Sequence, residues 1–452
     1  MLGAETREMR CPTLAELPPP PPGRAGWPWT EEVSSLPDTM PDGSPWPRVS
    51  IITPSYNQAP FLEETIRSVL LQGYPDLEYL IIDGGSTDGS VKIIRKYEPW
   101  LAYWASEKDR GQSHAINKGW ARATGETVAW LNSDDYYQPG IMGAPVLELA
   151  MHPEAVLVYG DCRLVTDMSE YMRTWKAGVC SPRSLLLDDN QIPQQSTFIR
   201  ASALSASGGV NERLHYTMDH ELWVRLGVLG EMRYVPGTIG NFRYHSTSKS
   251  VAQGYLFFLE TIEWLRSWDA LGEVLTEDER QELFRRLHVK AALEYVFAGR
   301  PGDAAKHFAL ACAGSAWPYG SREALATRIL ETWSLSAEAM ADSWQRIELL
   351  REALVKALPG PSALSLWRCI AARYHMRLLF ASVAEQTSGH VRRHWLAGIW
   401  YDPRWLSNAG VWSRAMEAFL GARLASRIRS FWRGRLHVGI LPASSRSGET
   451  RT

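Results

Sequence analysis

The sequence has few cysteines, no long hydrophobic run and almost no net charge. Its five cysteines are scattered and no two form a CxxC pair, so neither a disulfide framework nor a zinc site is indicated. No stretch reaches about 18 uncharged apolar residues, and the N-terminus lacks the apolar core of a signal peptide. The net charge of −2 argues against a generally basic nucleic-acid-binding protein. We therefore expect a cytoplasmic protein that binds no nucleic acid.

What the sequence does contain is the ordinary composition of a globular protein, with 45% apolar and 22% charged residues in 452. This length predicts two or three domains. Residues 1–47 include a run of five prolines and are predicted to form a flexible leader. Residues 48–250 are predicted to form one domain, residues 251–350 a helical extension, and residues 351–452 a basic helical tail rich in Trp and Arg.

Strand-like and helix-like segments alternate in the first predicted domain. Strands are predicted from residue 48 to a stop at Pro54, at residues 77–83 and at residues 126–131, with helices at 61–72 and 113–123 between them. This order predicts right-handed βαβ units and a mostly parallel α/β sheet. Such sheets bind ligands beyond the carboxyl ends of their strands. The rule places residues 53–56, 83–86 and 132–135 on one edge.

Two adjacent acids, Asp134 and Asp135, follow the apolar strand at residues 126–131. Burying two neighbouring carboxylates without partners is unfavourable, so a positive group or solvent is expected beside them. Together with Asn132 they offer oxygen ligands for Mg²⁺ or Mn²⁺, ions that complete their coordination with substrate phosphates and water. A solvent-exposed turn is the alternative interpretation.

Three ordered blocks resemble the family 2 glycosyltransferases, which have the GT-A fold. The blocks are VSIITPSYNQAPFLEETIRSVLLQGYPDLEYLIIDGGSTDGS, KDRGQSHAINKGWARATGETVAWLNSDD and MDHELWVRL. The resemblance covers about residues 48–250 and implies a mostly parallel mixed sheet flanked by helices, here followed by a C-terminal α-helical region. It also implies inverting transfer of a sugar from a nucleotide-diphospho-sugar, with a UDP-sugar favoured, to a glycan or lipid-linked acceptor in polysaccharide or glycoconjugate biosynthesis.

The resemblance further implies roles for individual residues. Asp134 is implied as a metal ligand and His245 as a further ligand or diphosphate contact, although a lone histidine is more often structural. Asp219 is implied as the general base, with Glu221 as the alternative base and a helix N-cap as the alternative role of Asp219. Donor contacts are expected from Thr53, Pro54, Tyr56, Asp83, Asp109, Arg110, Asn117, Lys118, Asn132 and Asp135. Acceptor contacts are expected from Gln195, Ser196 and Glu221.

One position departs from the family pattern, because Asn132 stands where the DxD motif has its first acid. The lost charge is expected to weaken metal affinity, while the amide retains hydrogen bonds for a ribose hydroxyl. For three donor residues a structural role is the alternative: Asp83 as the cap of its GGSTDG turn, and Asn117 and Lys118 as helix surface.

Other function classes fit the sequence less well. A sugar nucleotidyltransferase needs a glycine-rich, basic loop after the first strand, and the loop PSYNQAPF has no Gly, Arg or Lys. A Rossmann oxidoreductase is excluded because no GxGxxG motif follows a strand. The remaining alternative is a non-catalytic nucleotide-sugar-binding module on a degenerate GT-A scaffold.

The C-terminal part is predicted to be helical. One helix–turn–helix of the repeat type is recognised, with its turn at residues 299–302, and a single copy does not predict a solenoid. From residue 361 onwards there are fourteen Arg, no Lys and four acids. The segment at residues 411–436 alternates apolar residues and Arg, which is typical of either peripheral contact with the inner face of the cell membrane or a helix packed on the protein.

Overall fold

The computed structural model describes residues 10–188, 190–245, 248, 254–314, 317–332, 340–384, 388–408 and 411. The chain forms two compact units, residues 1–283 and residues 284–452. The domain boundaries predicted from the sequence stay predictions.

A single mixed sheet organises the first unit. Its strands lie in the order β3-β2-β1-β4-β8-β6-β9-β5, with β7 beside β6. The strands are β1 Val49–Ser55, β2 Leu77–Asp83, β3 Tyr103–Ser106, β4 Thr127–Trp130, β5 Tyr136–Tyr137, β6 Ala155–Val165, β7 Tyr171–Trp175, β8 Thr197–Arg200 and β9 Glu231–Arg243. Strands β3, β2, β1 and β4 are mutually parallel, whereas β8 joins β4 and β6 in antiparallel orientation.

Helices cover both faces of the sheet, which explains why β1 and β2 are buried along their whole length. Helix packing is close enough at Gly119 that an added Cβ would lie 2.5 Å from Cγ2 of Ile52, so only glycine fits there. The α/β fold with a mixed sheet is therefore confirmed. The helices are α1 Ala59–Leu70, α2 Ser90–Tyr97, α3 Gln112–Trp120, α4 Gly143–Met151, α5 Pro182–Leu187, α6 Ala201–Ser207, α7 Met218–Leu229, α8 Gly254–Ser267 and α9 Leu271–Val274.

The predicted strands and helices agree with the structure most closely where the hydrophobic pattern is strong. The second predicted strand matches β2 over residues 77–83, and the predicted helices correspond to α1 and α3. Strand β1 continues through Pro54 to Ser55.

The described part of the leader, residues 10–47, is packed against the domain, which corrects the expectation of a flexible segment. Arg67 of α1 is fully buried, and its guanidinium donates to the carbonyls of Pro18, Pro28 and Trp29 at 2.8–3.0 Å. Proline-rich backbone without internal hydrogen bonds has free carbonyls to offer such a donor. The indole of Trp27 donates to the carbonyl of Tyr137 at 2.8 Å.

The second unit is helical, as predicted for the C-terminal region. Its helices are α10 Glu277–Phe297, which begins in the first unit, α11 Pro301–Ala311, α12 Arg322–Thr332, α13 Met340–Ala357, α14 Gly360–Ala384 and α15 Ser388–Tyr401. Helices α10 and α11 form the helix–turn–helix recognised in the sequence.

A second helical pair, α14 and α15, repeats a feature of the first. His288 and His307 join their Nδ1 atoms at 2.9 Å, and His375 and His394 do the same at 3.0 Å. In both pairs the two histidines are 19 residues apart. Among the described residues, two helical hairpins thus share this histidine pair, where the sequence analysis recognises one hairpin.

Within the described residues, no helix is long and apolar enough to cross a membrane. Apart from Val411, the predicted amphipathic segment at 411–436 lies outside the described residues.

Candidate active site

Three turns meet at the carboxyl edge of the parallel strands. Ser55 at the end of β1 is paired with Asp83 at the end of β2, and Ile52 is paired with Trp130 at the end of β4. The residues that follow these strands therefore lie along one edge of the sheet, as the βαβ pattern predicts.

Three donor contacts are predicted at the end of β1, and one of them, Tyr56, is exposed. Thr53 is fully buried, and its hydroxyl lies 2.9 Å from the hydroxyl of Tyr79, while Pro54 is also buried. Tyr56 is 63% exposed and presents an aromatic face to solvent. Between them, the buried hydroxyl of Ser55 has no hydrogen-bond partner among the described residues, a feature that the sequence analysis does not single out.

Asp83 is fully buried and holds the turn that follows β2. Its Oδ2 accepts hydrogen bonds from the N–H groups of Gly85 and Ser86 and from the hydroxyl of Ser106, at 3.1, 2.8 and 2.6 Å. Its Oδ1 accepts from the hydroxyl of Ser86 at 2.5 Å. The turn-capping role weighed for Asp83 is thus present, and contact with a donor base stays a prediction.

Asp109 lies directly against this turn. An added Cβ on Gly84 would lie 2.8 Å from Oδ2 of Asp109, so the two loops are in contact. Arg110 is exposed and pairs with Glu212 at 2.5 Å. The Asp109 loop therefore adjoins the turn that Asp83 closes.

Two predicted donor residues on α3 have structural contacts. The Asn117 amide binds the backbone of Val210 through both its nitrogen and its oxygen, at 2.8 and 3.0 Å. Lys118 pairs with Glu107 at 2.5 Å. Both side chains agree with the structural alternative, and their donor roles stay predictions.

The turn after β4 is held by a network of neutral amides. The Asn132 Nδ2 donates to Gln194 at 3.0 Å and to Oδ2 of Asp135 at 3.3 Å, while its Oδ1 accepts from Gln112 at 2.7 Å. Gln195 donates to the same oxygen of Asp135 at 2.8 Å. Burial, and next the charge of Asp134, raise the pKa of Asp135 above its usual value.

Arg243 and Glu64 complete this turn, and the sequence analysis does not single them out. The backbone N–H of Arg243 donates to Oδ1 of Asp135 at 2.9 Å, and its Nε donates to the carbonyl of Asp134 at 2.8 Å. The guanidinium is 1% exposed and pairs with Glu64 at 3.0 Å. The positive group expected beside the two acids is therefore Arg243, whose guanidinium binds the backbone of Asp134 and whose charge lowers the pKa of Asp135 against the effect of burial.

Asp134 keeps a partly exposed carboxylate beside His245. Oδ2 of Asp134 lies 3.1 Å from Nε2 of His245, and the two side chains are 20% and 6% exposed. Phe61 packs against the imidazole with ring centroids 5.0 Å apart. One carboxylate and one imidazole thus converge at the edge of the sheet.

Asp219 lies in the first turn of α7. The N-cap of this helix is Thr217, so Asp219 is not its N-cap. Its Oδ1 accepts from the N–H of His220 at 2.8 Å and its Oδ2 from the amide of Asn190 at 3.3 Å. Burial raises the pKa of Asp219 to about 6, although these hydrogen bonds act in the opposite direction.

The predicted acceptor residues are buried and have partners. The hydroxyl of Ser196 donates to the carbonyl of Asp161 at 2.8 Å. Glu221 forms a two-point ion pair with Arg225, at 2.8 and 2.7 Å. Gln195 is the one that contacts the acidic turn, through Asp135. Acceptor binding by all three stays a prediction.

Comparison with known proteins identifies the family of this chain. Residues 50–203 match the family model described as glycosyl transferase family 2. An uncharacterized glycosyltransferase of Mycobacterium tuberculosis is 33% identical over 189 residues, which are 41% of this chain and 71% of that protein. The chain belongs to glycosyl transferase family 2. It is therefore a glycosyltransferase, and the resemblance drawn from its sequence blocks is confirmed.

Two further similarities are more limited. A Bacillus subtilis protein, TuaG, provisionally named as a teichuronic acid biosynthesis glycosyltransferase, is 42% identical over 97 residues, or 20% of this chain and 38% of that one. The solved structure of S. aureus TarS 1–349 in complex with UDP-GlcNAc is 13% identical, with 77% of this chain and 90% of that chain covered. Its TM-score of 0.40 is too low to carry an argument.

Two side chains of this glycosyltransferase, Asp134 and His245, are placed to supply two ligands of a divalent cation. Asp134 and His245 offer an oxygen and a nitrogen 3.1 Å apart, close to the separation of about 3 Å between adjacent ligands of an octahedral ion with bonds of about 2.1 Å. The described residues contain no group of three His, Cys, Asp or Glu side chains suited to a metal. Further ligands would be water and the diphosphate of the donor, as is usual for Mg²⁺.

Proposed function

We propose that this glycosyltransferase moves a sugar from a nucleotide-diphospho-sugar, foremost a UDP-sugar, to an acceptor hydroxyl with inversion at the anomeric carbon. The observation that carries the proposal is the buried, hydrogen-bonded carboxyl of Asp219 at the start of α7. Its pKa of about 6 leaves the carboxyl ionised at neutral pH, yet basic enough to accept a proton. Because one base acts on the acceptor, the reaction is a direct displacement.

In the proposed step, Asp219 takes the proton of the acceptor hydroxyl as the acceptor oxygen bonds to the anomeric carbon. The bond between that carbon and the diphosphate oxygen breaks, and the nucleoside diphosphate leaves with the electron pair. Asn190 and the N–H of His220 hold the carboxylate in one orientation for this transfer.

At the opposite end of the reacting bond, Asp134 and His245 would hold Mg²⁺ or Mn²⁺ with the donor diphosphate. A bound cation supplies neutralisation of the charge that grows on the leaving group. Arg243 keeps the backbone of Asp134 in place through its Nε. The exposed ring of Tyr56 offers a stacking surface for the donor base, beside the turn closed by Asp83.

We propose a glycan or lipid-linked acceptor in polysaccharide or glycoconjugate assembly. The support is the name of the Bacillus subtilis relative, which refers to teichuronic acid biosynthesis. The basic C-terminal tail supports peripheral contact with the membrane surface.

The test combines nucleotide binding with turnover. Isothermal titration with UDP and GDP, with and without Mn²⁺, is expected to show metal-dependent binding of one nucleotide, which Asp134→Ala weakens. Asp219→Asn is expected to lower turnover roughly 10²- to 10⁴-fold while nucleotide binding is retained. Asp38→Asn, a change of the same type at an exposed position, is the matched control.

Turnover is measured as nucleoside diphosphate release from UDP-glucose, UDP-galactose, UDP-N-acetylglucosamine and GDP-mannose, with water as the acceptor. Near-normal turnover in Asp219→Asn contradicts its assignment as the base. Nucleotide binding that does not depend on Mn²⁺ contradicts the cation site at Asp134 and His245.

A further inference from the structure

The start of α7, which carries Asp219, is capped by a carboxylate from another helix. Oε1 of Glu260 in α8 accepts from the N–H of His215 at 2.6 Å, and its Oε2 accepts from the N–H groups of Tyr216 and Thr217, both at 2.7 Å. The hydroxyl of Thr217 donates to the same Oε2 at 3.0 Å. One carboxylate therefore binds four donors in three consecutive residues.

These three N–H groups lie just before the helix, because they belong to the N-cap residue Thr217 and to the two residues that precede it. The N-cap residue Thr217 makes no side-chain hydrogen bond to the first turn of α7. Its hydroxyl is directed to Glu260 instead. A carboxylate at this end also interacts favourably with the helix dipole. Glu260 thus holds the N-cap residue of α7, two residues before Asp219.

The same face of α8 contacts the start of α7 on both sides of Glu260. The ring of Phe257 meets that of Tyr216 edge-on at 5.2 Å, and Trp264 meets His220 edge-on at 5.9 Å. Positions 257, 260 and 264 recur at helical spacing, so one stripe of α8 makes all these contacts.

The opposite side of this segment is attached to α3. The hydroxyl of Ser113 donates to the carbonyl of Leu214 at 2.8 Å, and the Asn117 amide binds Val210. Residues 210–217 therefore connect α3, which carries the predicted donor residue Asn117, with the predicted base Asp219. Glu260 holds the end of this segment that leads to Asp219.

We propose that Glu260 is a positioning residue that sets the orientation of Asp219 for proton transfer, an inference that rests on the proposed function. Glu260 lies beyond residues 50–203, the part matched by the family model. Because α8 supplies this carboxylate, the proposal makes α8 part of the catalytic unit, although the sequence analysis assigns it to the helical extension.

Electrostatics give a second consequence. The negative charge of Glu260 is one of the causes that raise the pKa of Asp219, after burial. Three other polar groups contact the Asp219 carboxyl, namely the N–H of His220, the N–H of Asp219 itself and the amide of Asn190, and all three lower its pKa. Removing the charge of Glu260 is therefore expected to lower the pKa of Asp219.

The test compares Glu260→Gln with Glu263→Gln, a matched change on the exposed side of the same helix. Nucleoside diphosphate release is measured with the four nucleotide sugars named above. Glu260→Gln is expected to lower kcat roughly 10- to 100-fold, the size of effect that follows from misplacing a catalytic group by about 1 Å, with KM for the donor nearly unchanged. The acidic limb of its pH profile is expected to move to lower pH.

Two results would overturn the proposal: unchanged kcat in Glu260→Gln, or a loss of kcat with no shift of the acidic limb. If Glu260→Gln does not fold, Thr217→Val removes one of the four hydrogen bonds. A several-fold loss of kcat then supports the proposal and an unchanged kcat overturns it. Near-normal turnover in Asp219→Asn would instead show that the proposed base, and not the role of Glu260, is at fault.

Discussion

Replacing Asn132 by Asp restores the acid of the family motif, and we expect it to destabilise the protein. The amide nitrogen of Asn132 donates to Asp135 and to Gln194, and a carboxylate cannot make either bond. Gln194 cannot simply reverse its amide to compensate, because its nitrogen already donates to the carbonyl of Trp130 at 2.6 Å. The new carboxylate would therefore face two acceptors.

The magnitude follows from the distances. The amide nitrogen that the new oxygen replaces lies 3.3 Å from a buried oxygen of Asp135. Two unit charges at this separation repel by about 5 kcal/mol at an effective dielectric constant of about 20. Each lost hydrogen bond adds about 1 kcal/mol. Because side-chain movement and proton uptake relieve part of the repulsion, we expect Asn132→Asp to lower the free energy of unfolding by about 2–4 kcal/mol.

Urea unfolding at pH 8 in the presence of EDTA measures this difference. Asn132→Ala is the control, because it removes the hydrogen bonds without adding a charge and is expected to lower the free energy of unfolding by about 1–2 kcal/mol. The reasoning is refuted if Asn132→Asp is as stable as the parent protein or more stable than Asn132→Ala.

Three further predictions concern Asp219 and the ion pair beneath the acidic turn. Since the base acts in its ionised form, kcat/KM is expected to fall as the pH drops below about 6, and a profile that stays flat down to pH 5 would argue against Asp219 as the base. Asp219→Asn is expected to raise the free energy of unfolding at pH 8 by up to about 3 kcal/mol. The pKa of Asp219 is higher in the folded than in the unfolded state, so its ionised carboxyl disfavours folding above about pH 6 and has no such effect below the unfolded pKa. Urea titrations of both proteins at pH 8 and pH 3.5 measure this difference in stability, and a gain that is absent at pH 8 or larger at pH 3.5 would contradict the prediction. Glu64→Gln leaves the buried guanidinium of Arg243 without its carboxylate and is expected to lower the free energy of unfolding by about 3–5 kcal/mol. The control Glu98→Gln, at an exposed position, is expected to change the free energy of unfolding little. Equal stabilities of the two variants would contradict this prediction.

The edge that carries the site is predictable from the sequence because it depends on local pattern. Strand β2 contains the apolar run YLII, α1 has helical spacing, and a βαβ order brings the ends of β1, β2 and β4 to one edge. The polar residues that follow those strands are then site candidates before any contact is known. This reasoning needs no information about distant parts of the chain.

Contacts between distant segments escape such reasoning. Glu64 and Arg243 are 179 residues apart and form a buried ion pair, and neither belongs to a motif that marks it. The available signal for Arg243 in the sequence was its position in RYH, two residues before the metal-ligand candidate His245. Glu260 is one of many acids on amphipathic helices, and only its four hydrogen bonds distinguish it.

Composition was misleading for the leader, because a proline-rich segment reads as flexible when considered alone. The fully buried Arg67 of α1 changes that conclusion. Its guanidinium requires several acceptors in the interior, and the carbonyls of residues 18, 28 and 29 are the ones it binds. A segment that forms only short turns is suited to this task, because within the described residues the carbonyls of residues 18, 28 and 29 accept no backbone hydrogen bond. The same logic applies at the acidic turn, where donors from Asn132, Gln195 and the backbone of Arg243 surround Asp135, while the carboxylate of Asp134 is 20% exposed and lies beside His245.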